Sequence, residues 1–425
     1  MADPSRLSPA VAALRAQVAA RLPEGPLVVA LSGGADSAVL AWAASQCSDR
    51  VRAISVDHGM AASSLLMSAA ADISQMLGVP HHVVVAEPSA ESETALRENR
   101  YAALEDAVID DEVILTGHTL DDQAETVLGN ILRGTGVSGL GGIPVVRGRF
   151  CRPMLDIARS EIREIAAVLE LPFMDDPQNA DPGIRRNQIR QEVIPLLADR
   201  FNPRLVEALG RLATSAVADD VALEVRAARV QVIHRDGALV IPAAVLATLP
   251  LAVSARVVRR ALRMVRGPHP GTSSEILSVL QAVEGKSVTI GSGVDAHREG
   301  PWLVLVAADI AVPSPSNIEI GTEVGFGGWT IAADVGSPVV GRFAATIARP
   351  EQLVVRAARS SERIAIGGGS KRIGDAMAEA GIAQRVRPMW PVIEADGTIA
   401  WIAGARAAPY AAGAPTITVR ARRNQ

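Results

Sequence analysis

The chain reads as an α/β protein: a Rossmann-like domain with a parallel sheet comes first, and smaller helical and α+β domains follow. Three observations carry this reading. Short apolar runs alternate with helical patterns from residue 27 to residue 132. A glycine-rich turn, Ser32-Gly33-Gly34-Ala35-Asp36-Ser37, joins the first run to the helix after it. From about residue 231 the rhythm gives way to shorter strand and helix patterns. Parallel strands joined by helices need both sheet faces covered. At 425 residues the chain exceeds one ordinary core, so three parts are expected: 1–215, 216–345 and 346–425.

The elements follow in order. Residues 8–22 form an amphipathic helix, with Ser8 as N-cap and Pro9 in its first turn. Strands are expected at 27–30, 51–56, 82–85 and 112–116, and helices at 37–46, 63–77, 91–108 and 120–132. A glycine-rich loop, RGTGVSGLGGIP (133–144), comes next, then helices around 159–170 and 184–198. The Ala-, Val- and Arg-rich stretch 203–230 has helical spacing and leads out of the first domain. Helices are expected in the middle part. Pro313 and Pro315 mark a linker or loop, and 318–348 is β-rich.

Composition narrows the function classes. The net charge of −4 gives no global basic field, although a local basic face can still bind nucleic acid. Cys47 and Cys151 lie far apart, with no CxxC and no zinc spacing, which points to a reducing cytoplasmic compartment. No signal peptide or membrane-spanning run is expected.

Ligands of such sheets bind outside the C-terminal strand ends. Three of the four ends carry unusual polar residues. In the first, Gly33 and Gly34 let the backbone approach a ligand. The helix N-terminus aims amides and a positive dipole end at it, and Ser32 and Ser37 add hydroxyls. A carboxylate at Asp36 makes sense beside phosphate if it holds Mg²⁺. The alternative is a tight turn with Asp36 as N-cap. In GHTLDDQAET (117–126), Asp122 can supply a second Mg²⁺ contact, and His118 can bind a nucleotide or polarise a carbonyl. Capping by Asp121 or Asp122 is the structural alternative.

SGGADS after a first strand resembles the loop of the PP-loop ATP pyrophosphatase superfamily. GHTLDDQAET…RGTG, RENRYAAL, RPML, DDPQN, RRNQIRQEVIPLL and GGSKRIGDAMAEAGIAQRVRPMWPVI together resemble the tRNA(Ile)-lysidine synthetase family. The resemblance is dense to about residue 215, thin in the middle, and recovered from about 367.

The resemblance implies an ATP- and Mg²⁺-dependent ligase. It would join L-lysine to C2 of the first anticodon base, a cytidine, in an isoleucine tRNA with a CAU anticodon. An adenylated tRNA would be the intermediate, and codon reading would change from AUG to AUA. Carried over, Ser32 to Ser37 hold the ATP phosphates, and Asp36 and Asp122 hold the metal. His118 contacts nucleotide, and Arg100 is a catalytic-site arginine, with Arg97 one helical turn earlier as a second candidate. Asp57 and His58 meet adenosine or lysine at the second strand end. Arg185, Arg186 and Arg190 can grip tRNA phosphates, as can Lys371 and Arg372, although a solvated face explains them too. Three rivals stay open: a tRNA-thiolating relative, a small-molecule adenylating ligase and a non-catalytic tRNA-binding protein. Neither cysteine is placed like a sulfur carrier.

Overall fold

The computed structural model describes residues 8–57, 59, 63–86, 93–176, 181, 183–235, 238–267, 271–291, 293–307, 312–335 and 341–423. The chain divides into two compact units, Met1–Ala222 and Leu223–Gln425.

The first unit starts with α1 (Pro9–Ala19), where the Ser8 hydroxyl accepts from Val11 N–H. The alternating part then runs β1 (Leu27–Ala30), α2 (Ala35–Ser45), β2 (Val51–Asp57), α3 (Ser63–Leu77), β3 (His81–Val85), α4 (Glu93–Asp106), β4 (Val113–Leu115) and α5 (Leu120–Leu132). These match the expected elements to within two residues at each end.

Three elements escaped the sequence reading. The glycine-rich stretch holds the short helix α6 (Val137–Leu140), and β5 (Val146–Arg147) and β6 (Phe150–Cys151) form a hairpin. One helical turn and two-residue strands are too short to show a period. Then come α7 (Arg159–Val168), α8 (Arg185–Gln188), a π-helical turn (Ile189–Val193), α9 (Ile194–Arg200) and α10 (Leu205–Ala228).

The sheet order is β3-β2-β1-β4-β6-β5, parallel except for the β5–β6 pair. Side-chain alternation along β1 explains the double cover. Leu27, Val29 and Leu31 enter one core with residues of α1, α2 and α7. Val28 enters the other, with Ile54, Leu104, Ile114 and Phe150. The order reverses at β1, which has β2 on one side and β4 on the other. Such a reversal opens a crevice at the C-terminal strand ends, because the two connecting helices leave on opposite faces.

Two large cores dominate the described part of the second unit. In one, helices Leu251–Arg266 and Ser273–Gln281 lie against a five-stranded antiparallel sheet formed from residues 233–242 and 288–307. The other core spans Ile318 to Ala421 and lies between antiparallel sheets of five and four strands. In it, strand Trp329–Asp334 pairs with Thr418–Arg423, and Trp329 meets Trp390 edge-on at 5.0 Å. Among the described residues, no helix is long and apolar enough to cross a membrane.

Candidate active site at the strand reversal

The loop after β1 is built to face a ligand. Gly33 takes φ +83°, and a Cβ there would strike the Leu66 carbonyl. The Gly33 carbonyl accepts from Met174 N–H at 2.9 Å. Ser37 Oγ accepts from Ser32 N–H at 3.1 Å and donates to the Gly34 carbonyl at 2.9 Å. The N-cap of α2 is Gly34, with no side chain bonded to the first-turn amides. Asp36 sits inside that turn, so the capping alternative does not hold. Uncapped amides at a helix N-terminus suit an anion.

The crest of β4 touches this loop directly. A Cβ on Gly117 would lie 3.0 Å from Asp36 C and O and 3.1 Å from Ser37 N, so only glycine lets the two strand ends close. His118 follows. Its Nδ1 lies 2.9 Å from Thr116 Oγ1, which leaves Nε2 for another partner. Burial holds the imidazole well below its usual value, at about 3, helped by the charges of Arg152, Arg97 and Arg186. It is neutral at pH 7.

Thr119 caps α5, and Asp122 completes a capping box. Its Oδ2 accepts from Thr119 N–H at 2.8 Å and from Thr119 Oγ1 at 3.0 Å. Its Oδ1 meets three guanidiniums: Arg159 at 2.8 Å, Arg186 at 2.8 Å and Arg190 at 3.2 Å. One helical turn on, buried Glu125 pairs with the same three at 3.3, 2.8 and 2.6 Å. Arg159 also reaches Asp36, at 3.6 Å. Asp121 accepts from Arg159 N–H at 2.7 Å and so anchors the start of α7.

These neighbours split the two aspartates. Burial pushes the Asp36 carboxyl up to about 6, against the pull of Arg159. Burial opposes the Asp122 charge too, but Arg159 and Arg186 outweigh it and hold that carboxyl at about 2. Three acids facing three arginines leave the cluster nearly neutral.

Asp36, His118 and Asp122 therefore share one crevice with the Ser32–Ser37 loop. Arg186 and Arg190, expected to meet tRNA phosphates, are turned inward to carboxylates instead. The cause is local: α8 and the π-helical turn wind both residues onto the face that meets α5. Arg185 beside them is exposed. Asp57 closes a turn of its own, accepting from Gly59 N–H at 2.9 Å. His58 lies outside the described residues. Arg100 presents surface to solvent, while enough protein surrounds its guanidinium for desolvation to lower its pKa. In the second unit, Lys371 pairs with Glu379 and Arg372 is exposed.

Glu125 and Arg159 were not singled out from sequence. The signal for Glu125 was its place three residues after Asp122, on the same helix face. Arg159 carried none, because the strand-end rule does not reach the start of a helix 37 residues further on.

The arrangement limits how a metal can bind. Both oxygens of Asp122 are saturated by donors, and the described residues contain no cluster of three metal-ligating side chains. Asp36 has one long ion pair and remains open. The site fits a cation held by Asp36 together with ligand oxygens, as Mg²⁺ prefers, and not one shared equally by both aspartates.

Residues 8–197 match the model of the PP-loop domain, an ATP-binding family, and residues 353–420 match the TilS substrate C-terminal domain. The tRNA(Ile)-lysidine synthase of Thermus thermophilus is 32% identical over 401 residues, which cover 91% of this chain and 70% of that one. The chain belongs to the tRNA(Ile)-lysidine synthase family. The Streptomyces coelicolor synthase is 35% identical, covering 67% of this chain and 86% of its own. That of Salinispora arenicola is 38% identical, covering 63% and 86%. The lysidine-synthase match takes in both the crevice and the C-terminal core, so the loop and the acid–arginine cluster belong to a tRNA-modifying ligase.

Proposed function

We propose that this protein ligates lysine to C2 of the first anticodon cytidine of an isoleucine tRNA, at the crevice between β1 and β4. The observation that carries the reading is the juxtaposition of uncapped α2 amides with Asp36, neutral His118 and the Asp122–Glu125–arginine cluster.

The C2 carbonyl oxygen of the cytidine attacks the α-phosphorus of ATP, and pyrophosphate leaves. The ε-amine of lysine then attacks C2, the C–O bond breaks, and AMP leaves with the oxygen. The chain's own groups meet each demand. The Gly33–Gly34 backbone and the α2 N-terminus hold the departing phosphates. Asp36 would hold Mg²⁺, which supplies charge neutralisation to those phosphates when bound. His118 is neutral, so with Nδ1 accepting from Thr116 Oγ1 its Nε2 can donate to an oxygen without repelling Arg186. Glu125, whose two oxygens are held by three arginines, would take an incoming ammonium only by exchanging one of them, and with Asp122 it keeps those arginines ordered until substrate arrives.

For the parts of the chain, the proposal is a catalytic part at 1–215, a middle tRNA-binding part from 216, and a C-terminal tRNA-binding part. We extend the last back from 346 to Ser316, because Ser316–Asn317 pairs with Val354–Val355 and the 329–334 strand pairs with 418–423. Lys371 and Arg372 belong to it, and Arg372 is the more available to RNA.

The test is incubation with ATP, Mg²⁺, lysine and a tRNA transcript with a CAU anticodon. AMP and lysidine should form together, and neither should form when the anticodon is changed to UAU. AMP formed from a small molecule without tRNA would replace this reading with a small-molecule ligase. No AMP from a well-folded sample would leave a tRNA-binding protein.

A further inference from the structure

Arg152 differs from Arg159, Arg186 and Arg190, each of which pairs with carboxylates. It is only 2% exposed, the largest fully buried side chain among the described residues. Its Nη1 donates to the Pro144 carbonyl at 2.9 Å and its Nη2 to the Tyr101 hydroxyl at 3.2 Å. Its Nε has no partner, and among the described residues no carboxylate pairs with it. A buried charge without a counter-ion is costly, and folded proteins keep one where a ligand supplies the missing charge.

Tyr101 shows where that charge arrives. Its hydroxyl oxygen accepts from Arg152 and also from Arg97 Nη2 at 3.2 Å. With two guanidiniums on the oxygen, the single phenolic hydrogen must point away from both and can only be donated. No acceptor among the described residues takes it. The ring is fixed against Phe150 at 4.5 Å. Arg152 directly follows β6, whose Cys151 carbonyl accepts from Thr116 N–H at 3.0 Å, so it adjoins the Thr116–His118 crest.

We propose that the Tyr101 hydroxyl donates to a phosphate oxygen of the reacting nucleotides, with Arg152 as the buried positive charge behind it. The inference rests on the lysidine-synthase reading of this crevice. Tyr101 is the contacting group, and Arg152 positions and polarises it. The oxygen has two possible sources, the α-phosphate of ATP or a backbone phosphate of the tRNA.

Three measurements on the full chain test this: the melting temperature without ligand, Kd for α,β-methylene-ATP, and Kd for unmodified tRNA transcript. Arg152→Met removes an uncompensated charge, so the free protein should melt at the same temperature or higher. One of the two affinities should fall about tenfold or more, as expected for a charge-assisted hydrogen bond. Tyr101→Phe keeps the ring on Phe150, so it should leave melting unchanged and weaken the same ligand about fivefold to tenfold. Loss confined to the ATP analogue assigns the α-phosphate, and loss confined to tRNA assigns the backbone. If Arg152→Met melts lower and neither variant shifts either affinity, Arg152 is a packing residue and the proposal fails. Should Arg152→Met not fold, Tyr101→Phe decides alone, and unchanged affinities reject the idea. Both affinities are readable even from a protein that makes no lysidine, so failure here is separate from failure of the functional reading.

Discussion

Asp36 and Asp122 share one guanidinium: Arg159 places Nε 3.6 Å from the first and Nη2 2.8 Å from the second. The two acids follow adjacent strands and would repel each other across the crevice. Arg159 offsets that repulsion and also binds Glu125, so it touches every acid of the cluster.

Arg159→Met should therefore destabilise the protein by about 3 kcal/mol, the lower end for breaking a buried ion pair, since Asp122 keeps two arginines. Urea unfolding measures this. Losing the positive charge also raises the Asp36 pKa, so the pH at which AMP release reaches half its maximum should move up. Arg159→Lys should restore part of both effects. A variant as stable as the parent would show that the cluster does not depend on this arginine.

Asp36 makes stability depend on pH in an unusual sense. Its carboxyl rises from 3.8 to about 6 on folding. Between these values the folded state binds more protons than the unfolded state, so stability falls as pH rises through the window. At pH 7 the full cost is on the order of 2–3 kcal/mol. Asp36→Asn should melt higher than the parent at pH 7, and the gap should close by pH 4. The same variant should release no AMP while still binding tRNA, and parental AMP release should climb through about pH 6. Equal loss of tRNA binding would overturn the separation of chemistry from docking.

Gly117 and Gly33 test how closely the strand ends must meet. Gly117→Ala puts a methyl 3.0 Å from Asp36 backbone, which has no flexible side chain to yield. A cost of about 1–3 kcal/mol is expected, with a raised KM for ATP and a smaller change in kcat. Gly33→Ala adds a strained positive φ to a backbone clash, so it should cost more. Gly134→Ala is the control: its added Cβ meets nothing, although its positive φ carries strain. It should leave the ATP KM unchanged.

Much of this was legible in sequence because it is local. The alternation of strands and helices follows from hydrophobic periods within short windows. Ser32 to Ser37, His118 and Asp122 stood out because each lies just past an apolar strand, where side chains leave the core. The hairpin at 146–151 and the helix at 137–140 were not visible, because they are shorter than the period that would reveal them.

What the sequence by itself determined is the sheet, the phosphate-facing loop and the acids at its crest. Tertiary structure alone decided which charges those acids meet. Arg159, Arg186 and Arg190 are 34 to 68 residues from Asp122 and Glu125 in the chain, and only the folding of α7, α8 and the π-helical turn back onto α5 brings them within 3.3 Å. Electrostatic energy depends on distance and burial, neither of which is a property of chain order. That is why one aspartate rises toward neutrality and the other is held ionised, although in sequence both are simply carboxylates at the start of a helix.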